Sequence, residues 1–283
     1  MILFKKTGDL HKWLDGQRKK GRKIGFVPTM GALHKGHLSL IESSSESNQV
    51  TVCSIFVNPT QFNDPKDYEK YPVTIEKDIE LLENSGCDAL FMPSVTEMYP
   101  KGLDLPMHYD LGYLEKILEG KFRPGHFQGV CAVVHKLLEK VFPDNLYLGQ
   151  KDYQQCMVIT KLVDLIGLKK KLSINICPTL REPDGLAMSS RNVRLKEDER
   201  KKAIAIFQSL NFIRDNLEKG DLSILKQNAN NILAKNGFRT DYIEIAGADD
   251  LLLVNEWDGK IKLVAVAAAF LNEVRLIDNM LLN

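Results

Sequence analysis

His34 and His37, three residues apart, are the side chains whose type and spacing most directly suggest chemistry. They close the segment Val27-Pro28-Thr29-Met30-Gly31-Ala32-Leu33-His34-Lys35-Gly36-His37. It reads as a strand, a glycine-containing turn and the start of a helix. A helix start presents unpaired backbone N–H groups and the positive end of the helix dipole, which together suit phosphate. Gly36 lets a nucleotide come close to the backbone, and imidazoles can donate hydrogen bonds to phosphate oxygens as charge develops. The zincin pattern needs a spacing of four with Glu between the histidines, so zinc is disfavoured. A plainer reading has one histidine capping the helix and the other solvated. A second cluster, Asp184-Gly185-Leu186-Ala187-Met188-Ser189-Ser190-Arg191-Asn192, places two hydroxyls and a guanidinium in sequence. That is a compact donor set for polyphosphate. Alone it is ordinary loop sequence; its weight comes from its pairing with His-x-Gly-His.

These residues need elements to hold them. Over the first 175 or so residues, short apolar runs alternate with amphipathic stretches. Strands are expected at Ile24 to Pro28, Val50 to Val57, Ala89 to Met92, Leu146 to Leu148 and Leu172 to Ile176. Helices are expected at Leu38 to Ser47, Ile75 to Asn84, Val130 to Val141 and Asp152 to Ile166, and a loop at Pro93 to Pro106. This alternation predicts an α/β, Rossmann-like parallel sheet domain, with the first turn at the sheet edge where open α/β folds bind ligands. The pattern then changes to one long helix over Lys196 to Glu218, a second over Leu222 to Lys235, and three strands at Asp241 to Ala246, Ile261 to Leu271 and Val274 to Leu282. This predicts a smaller C-terminal α+β domain. The boundary is set near residue 180, giving domains 1–180 and 181–283.

The chain has 283 residues, 44% hydrophobic and 27% charged, enough for two cores without disulfide or metal staples. Lys plus Arg number 38 and Asp plus Glu 37. So even a balance argues against nucleic acid as the main partner. The five cysteines, Cys53, Cys87, Cys131, Cys156 and Cys177, are odd in number and contain no CxxC, as expected of reduced thiols. The N-terminal apolar run is too short for a secretory signal, and no run reaches the roughly 18 residues of a membrane span. A cytoplasmic chain with no membrane partner is expected.

The two clusters together resemble the HIGH-type and KMSKS-type signatures of adenylate-forming nucleotidyltransferases. The likeness extends further. Met30 to His37 within PTMGALHKGH, Phe56-Val57-Asn58-Pro59-Thr60-Gln61-Phe62, Tyr71-Pro72, Arg123-Pro124-Gly125-His126-Phe127-Gln128-Gly129-Val130, Gly149-Gln150-Lys151-Asp152-Tyr153-Gln154-Gln155, DGLAMSSRN and Arg275-Leu276-Ile277-Asp278-Asn279 follow the order of the pantothenate synthetase (pantoate–β-alanine ligase) family.

The resemblance implies a two-step reaction. ATP and pantoate give pantoyl adenylate and pyrophosphate, and β-alanine then gives pantothenate and AMP. It assigns ATP binding to Met30, Gly31, Ala32, Leu33, His34, Lys35, Gly36 and His37, to Gly149, Gln150, Lys151 and Asp152, to Leu180, and to Met188, Ser189, Ser190 and Arg191. His37 and His34 are the catalytic pair, with positioning and charge stabilisation favoured over proton transfer. Gln61 and Gln155 are implied for pantoate and Gln61 also for β-alanine, with Asn58 in support. His126 is read as structural. Mg2+ is implied with ATP, with no tightly bound organic cofactor, and so is a homodimer whose C-terminal domain lids the site. Three positions depart from the pattern: Gln150 for Glu, Val73 for Arg and Lys77 for an acid. That leaves Asp78 as the candidate protein ligand for metal. The alternatives are another HxGH adenylyl- or cytidylyltransferase and a silent nucleotide-binding module.

Overall fold

The computed structural model describes residues 1–63, 65–103 and 107–283. The chain forms two compact units: residues 1–149 with 155–178, and residues 150–154 with 179–283. The second unit thus takes a five-residue piece, Gln150–Gln154, from the stretch read as part of the first domain.

The first unit is built on six strands: β1 (Ile2–Phe4), β2 (Ile24–Thr29), β3 (Val50–Ile55), β4 (Ala89–Phe91), β5 (Asn145–Gly149) and β6 (Ser173–Cys177). They lie in the order β1-β4-β3-β2-β5-β6, and every neighbouring pair is parallel. All six residues of β3 are buried, as a strand covered on both faces requires. From β2 the chain passes to β3 and β4 on one side, and later to β5 and β6 on the other. The C-terminal end of β2 is therefore a topological switch point, where open α/β sheets place their ligand crevice. The helix Lys35–Ser47 follows β2 and packs Leu40 and Ile41 into a core with Val27, Cys53, Ile55, Leu82 and Leu90.

Two N-terminal elements, β1 and the helix Thr7–Arg18, were not among the expected ones. A three-residue strand has no periodicity to read. The expected loop at 93–106 holds a short helix, Val95–Met98; residues 104–106 lie outside the described residues. All five cysteines are free thiols, and burial pushes Cys87 and Cys131 up to about 12, which makes their reactive thiolate forms scarce.

In the second unit, β8 (Phe238–Gly247), β10 (Leu263–Leu271) and β11 (Val274–Leu281) form an antiparallel sheet in the order β11-β10-β8, and β7 (Gly220–Asp221) pairs with β9 (Glu256–Trp257). The helices Glu197–Ala203, Ala205–Asp215 and Ser223–Lys235 contribute Ala203, Ile206, Leu210, Ile213 and Leu233 to a core shared with Ala265, Ala267 and Ala269 of β10. The single helix expected over residues 196–218 is interrupted at Ile204 and stops at Asp215. Ile204 stays right-handed (φ −58°, ψ −22°), so the interruption is a tightened turn.

Glu97 secures the start of the helix Thr7–Arg18. It accepts hydrogen bonds from the Thr7 N–H at 2.9 Å and from Lys6 Nζ at 3.2 Å. The Thr7 backbone bond, foremost, lowers the Glu97 carboxyl from 4.5 to about 2. A depressed acid stabilises the fold above its unfolded pKa and loses that contribution as pH falls through the folded one. Glu97→Gln is expected to lower the thermal midpoint at neutral pH. In paired melts, the gap to wild type should close as pH falls from 4.5 to about 2. A gap unchanged at the acid end would contradict this.

Candidate active site

The turn after β2 bends the backbone in an unusual way. Gly31 (φ +82°) and Ala32 (φ +48°) are both left-handed, a conformation that costs a non-glycine residue roughly 1–2 kcal/mol. A buried carboxylate holds the turn. Asp78, 1% exposed, accepts from the Ala32 N–H through Oδ2 at 2.9 Å and from the Leu33 N–H through Oδ1 at 2.8 Å. The Thr74 hydroxyl donates to Oδ1 at 3.0 Å. A Cβ at Gly31 would lie 3.0 Å from Asp78 Oδ2 and 3.1 Å from Ile55 Cγ2, so the close approach also favours glycine. Thr29 adds a further tie: its hydroxyl donates to Ser54 O at 2.7 Å and accepts from the Gly31 N–H at 3.2 Å.

Burying a carboxylate costs several kcal/mol. Three hydrogen bonds to a charged acceptor, at about 1.5–3 kcal/mol each, offset it. The same bonds bear on the metal role expected for Asp78. Both Asp78 oxygens face N–H and O–H donors, so Asp78 does not fit the expected role of metal ligand. Among the described residues no group of three His, Cys, Asp or Glu side chains is arranged to hold a metal ion.

The two histidines begin the helix Lys35–Ser47, with His34 as its N-cap. His34 Nδ1 accepts from the Gly36 N–H at 3.2 Å, and His37 Nδ1 accepts from the His34 N–H at 3.3 Å. Their rings lie 4.1 Å apart between centroids. Both rings therefore cap, each through Nδ1, rather than one capping and one being solvated. An Nδ1 that accepts leaves the proton of the neutral ring on Nε2. The helix start thus carries two imidazole N–H donors in fixed tautomers at the switch point.

Gln61 is 8% exposed and joins this turn: its Nε2 donates to Met30 Sδ at 2.9 Å. Its amide is oriented by Asn58, fully buried, whose Nδ2 donates to Gln61 Oε1 at 3.2 Å and to Gly129 O at 3.1 Å. Asn58 Oδ1 in turn accepts from the Tyr99 hydroxyl at 2.7 Å. The buried His126 contacts Gln61 O through Nδ1 at 2.7 Å, while Arg123 Nη1 lies 3.0 Å from its Nε2. With Arg123 donating, His126 donates through Nδ1 and clamps the Gln61 backbone. A Cβ at Gly129 would fall 2.1 Å from Thr60 O, so this crossing also requires glycine. Tyr99 and Gly129 were not picked out for this pocket from sequence. Gln155 is half-buried at the start of the helix Tyr153–Leu165.

The second unit carries the other expected donors. Lys151 Nζ lies 3.4 Å from Asp152 Oδ1. Residues 180–188 form a small hairpin: the Met188 N–H donates to Leu180 O at 3.0 Å, and Arg181 bridges Ala187. Leu186 anchors it in the core of this unit. Ser189 caps the short turn Ser190–Arg194, its hydroxyl accepting from the Arg191 N–H at 3.3 Å.

Comparison with known proteins sets this geometry in context. A family model described as pantoate-beta-alanine ligase matches residues 2–281. A pantothenate synthetase from Caldicellulosiruptor bescii is 44% identical over 283 residues, 99% of this chain and 98% of the relative. One from Thermotoga neapolitana is 45% identical over the full length of both. Among solved structures, a pantothenate synthetase from Thermus thermophilus superposes with a TM-score of 0.90 at 38% identity, covering 99% of both chains. The pantoate-beta-alanine ligase from Francisella tularensis, complexed with beta-gamma ATP and beta-alanine, gives a TM-score of 0.82 at 40% identity, covering 99% of this chain and 97% of its own.

Asp78→Asn preserves size but turns a buried acceptor into a donor aimed at a backbone N–H. It is expected to destabilise the fold by about 1–3 kcal/mol in denaturant unfolding. It should also speed amide hydrogen exchange at Ala32 and Leu33. Unchanged stability and exchange would contradict the brace.

Proposed function

The chain belongs to the pantoate–β-alanine ligase family, and we propose that it joins pantoate to β-alanine in an ATP-dependent reaction through a pantoyl adenylate. The observation that carries the reading is the pair of histidine caps at the switch point, both tautomers fixed by Nδ1. In the first step a pantoate carboxylate oxygen attacks the α-phosphorus of ATP. The new O–P bond replaces the bond to the leaving pyrophosphate. In the second, the neutral amine of β-alanine attacks the acyl carbon, the C–O bond to AMP breaks, and the amine proton passes to solvent.

His34 and His37 donate through Nε2 to phosphate oxygens, stabilising charge as it develops and holding the nucleotide for in-line attack. Adenylation of a carboxylate needs no acid, so neither ring has to transfer a proton. Met30 to His37 form the wall around the nucleotide. Gln61 offers an oriented amide to pantoate and then to β-alanine, with Gln155 as a second pantoate contact. Lys151, Ser189, Ser190 and Arg191 supply phosphate donors, Gly149, Gln150, Asp152 and Leu180 hold the nucleoside, and the loop carrying Met188 to Arg191 closes on bound ATP as a lid. Mg2+ would accompany ATP, held largely by phosphate oxygens and water, and would offset phosphate charge. The free thiols support a cytoplasmic setting, and the family resemblance supports a homodimer.

Purified protein is expected to catalyse pantoate-dependent exchange of pyrophosphate into ATP, and to release AMP when β-alanine is added. Exchange with some other acid but not with pantoate would overturn the substrate assignment. His37→Ala should slow exchange by about 10²–10³-fold, while loss of its cap should cost about 1 kcal/mol of stability. Wild-type exchange in that variant would refute the role. Protection of the Arg191 segment from trypsin should rise with ATP; unchanged cleavage would count against closure of the loop.

A further inference from the structure

The C-terminal run Arg275 to Asn279 has no place in the chemistry above, yet its last two residues are buried polar groups within β11. Asn279 is 2% exposed. Its Nδ2 directs both protons to the Gln150 and Lys151 carbonyls, at 2.9 and 2.8 Å, and its Oδ1 accepts from Gln150 Nε2 at 3.2 Å. One side chain therefore fixes two successive peptides of the Lys151 turn. Asp278, beside it, is also 2% exposed and binds Arg181 by a two-pronged pair, at 2.7 and 3.0 Å. Burial pushes the Asp278 carboxyl up, and Arg181 pulls it part of the way back.

Arg181 extends the connection. Its Nη2 donates to Asn279 O at 3.1 Å and its Nη1 to Gly185 O at 3.0 Å. Its guanidinium stacks 4.4 Å from the centroid of Phe207. A Cβ at Gly185 would meet that ring at 2.3 Å, so the loop lies close against the stack. Gly185 opens the segment that carries Met188, Ser189, Ser190 and Arg191. The hydrogen bonds run without a break from the Lys151 turn through Asn279, Asp278 and Arg181 to that loop, all inside one unit.

We infer that Asp278 and Asn279 are positioning residues for the adenylation step, a single scaffold that holds the Lys151 turn and the Gly185–Arg191 loop in mutual register. The inference rests on the ligase reading for what the two segments bind. It separates these residues from ordinary core: a buried Asn and a buried carboxylate paired with half-buried Arg181, each more costly to bury than an apolar residue, are retained where they orient two sets of phosphate donors.

The test uses Asn279→Asp in the full chain. It keeps the shape, removes both donors and turns a carboxylate toward two carbonyl oxygens. Asn279→Ser, which keeps one donor, serves if the first variant does not fold. Leu233→Ala, in the core of the same unit, controls for lost stability. By hydrogen exchange, residues 150–154 and 185–192 should both loosen in the Asn279 variants and stay protected in Leu233→Ala. The kcat of pantoate-dependent exchange should fall by about 10²-fold, with KM for pantoate within about twofold of wild type. Adding Lys151→Ala to Asn279→Asp should leave exchange about as slow as the slower single variant, because the two act through one group. Losses that multiply in full, or loosening of only one segment, would overturn the scaffold. If wild type shows no exchange with pantoate while both segments still loosen together, the scaffold stands and the substrate reading falls.

Discussion

A buried carboxylate sets the shape of the turn on which the first unit's site depends. The chain must leave β2 and enter the helix Lys35–Ser47 within five residues, and it does so through two successive left-handed residues, one of them alanine. Nothing in alanine favours that conformation. Asp78 supplies the compensation by accepting the Ala32 and Leu33 N–H groups, which the tight turn leaves without backbone partners. With the turn held, His34 occupies the N-cap and His37 accepts from its N–H. The fixed tautomers, and with them the two Nε2 donors, follow from that capping.

The same device recurs elsewhere. Gln61 is oriented by buried Asn58, itself held by Tyr99, while His126 holds its backbone. In the second unit Asn279 holds the backbone at Gln150 and Lys151. In each case a residue suited to touching substrate is held by a buried polar neighbour that need not touch it. Such neighbours are costly to bury and lower the reorganisation that bound charge would otherwise demand. Three protein donors already engage the Asp78 carboxylate, in keeping with the expectation from sequence that nucleotide oxygens and water hold most of the Mg2+ coordination.

Much of this was legible in the residues. The β-branched run at Val50 to Val57 and the alternation of strands and helices pointed to a parallel sheet, and the glycine-bearing turn before His34 pointed to its edge. The supporting groups were harder to read. Asp78 sits four residues after Thr74 on a helix, a spacing equally suited to an exposed face. Its partners are backbone N–H groups some forty-five positions away, and backbone donors leave no mark in composition. Asn279 was visible as part of a motif, but its bonds to residues 128 and 129 positions distant were not. The first strand escaped because it is three residues long, and the break at Ile204 because an apolar stripe persists through a tightened turn.

The most direct test is a crystal structure of the protein with Mg2+ and an unreactive ATP analogue. Asp78 should keep the Ala32 and Leu33 N–H groups within about 3 Å, with phosphate oxygens against Nε2 of His34 and His37. A structure in which Asp78 has turned to coordinate Mg2+, leaving those two N–H groups to phosphate, would contradict the central claim.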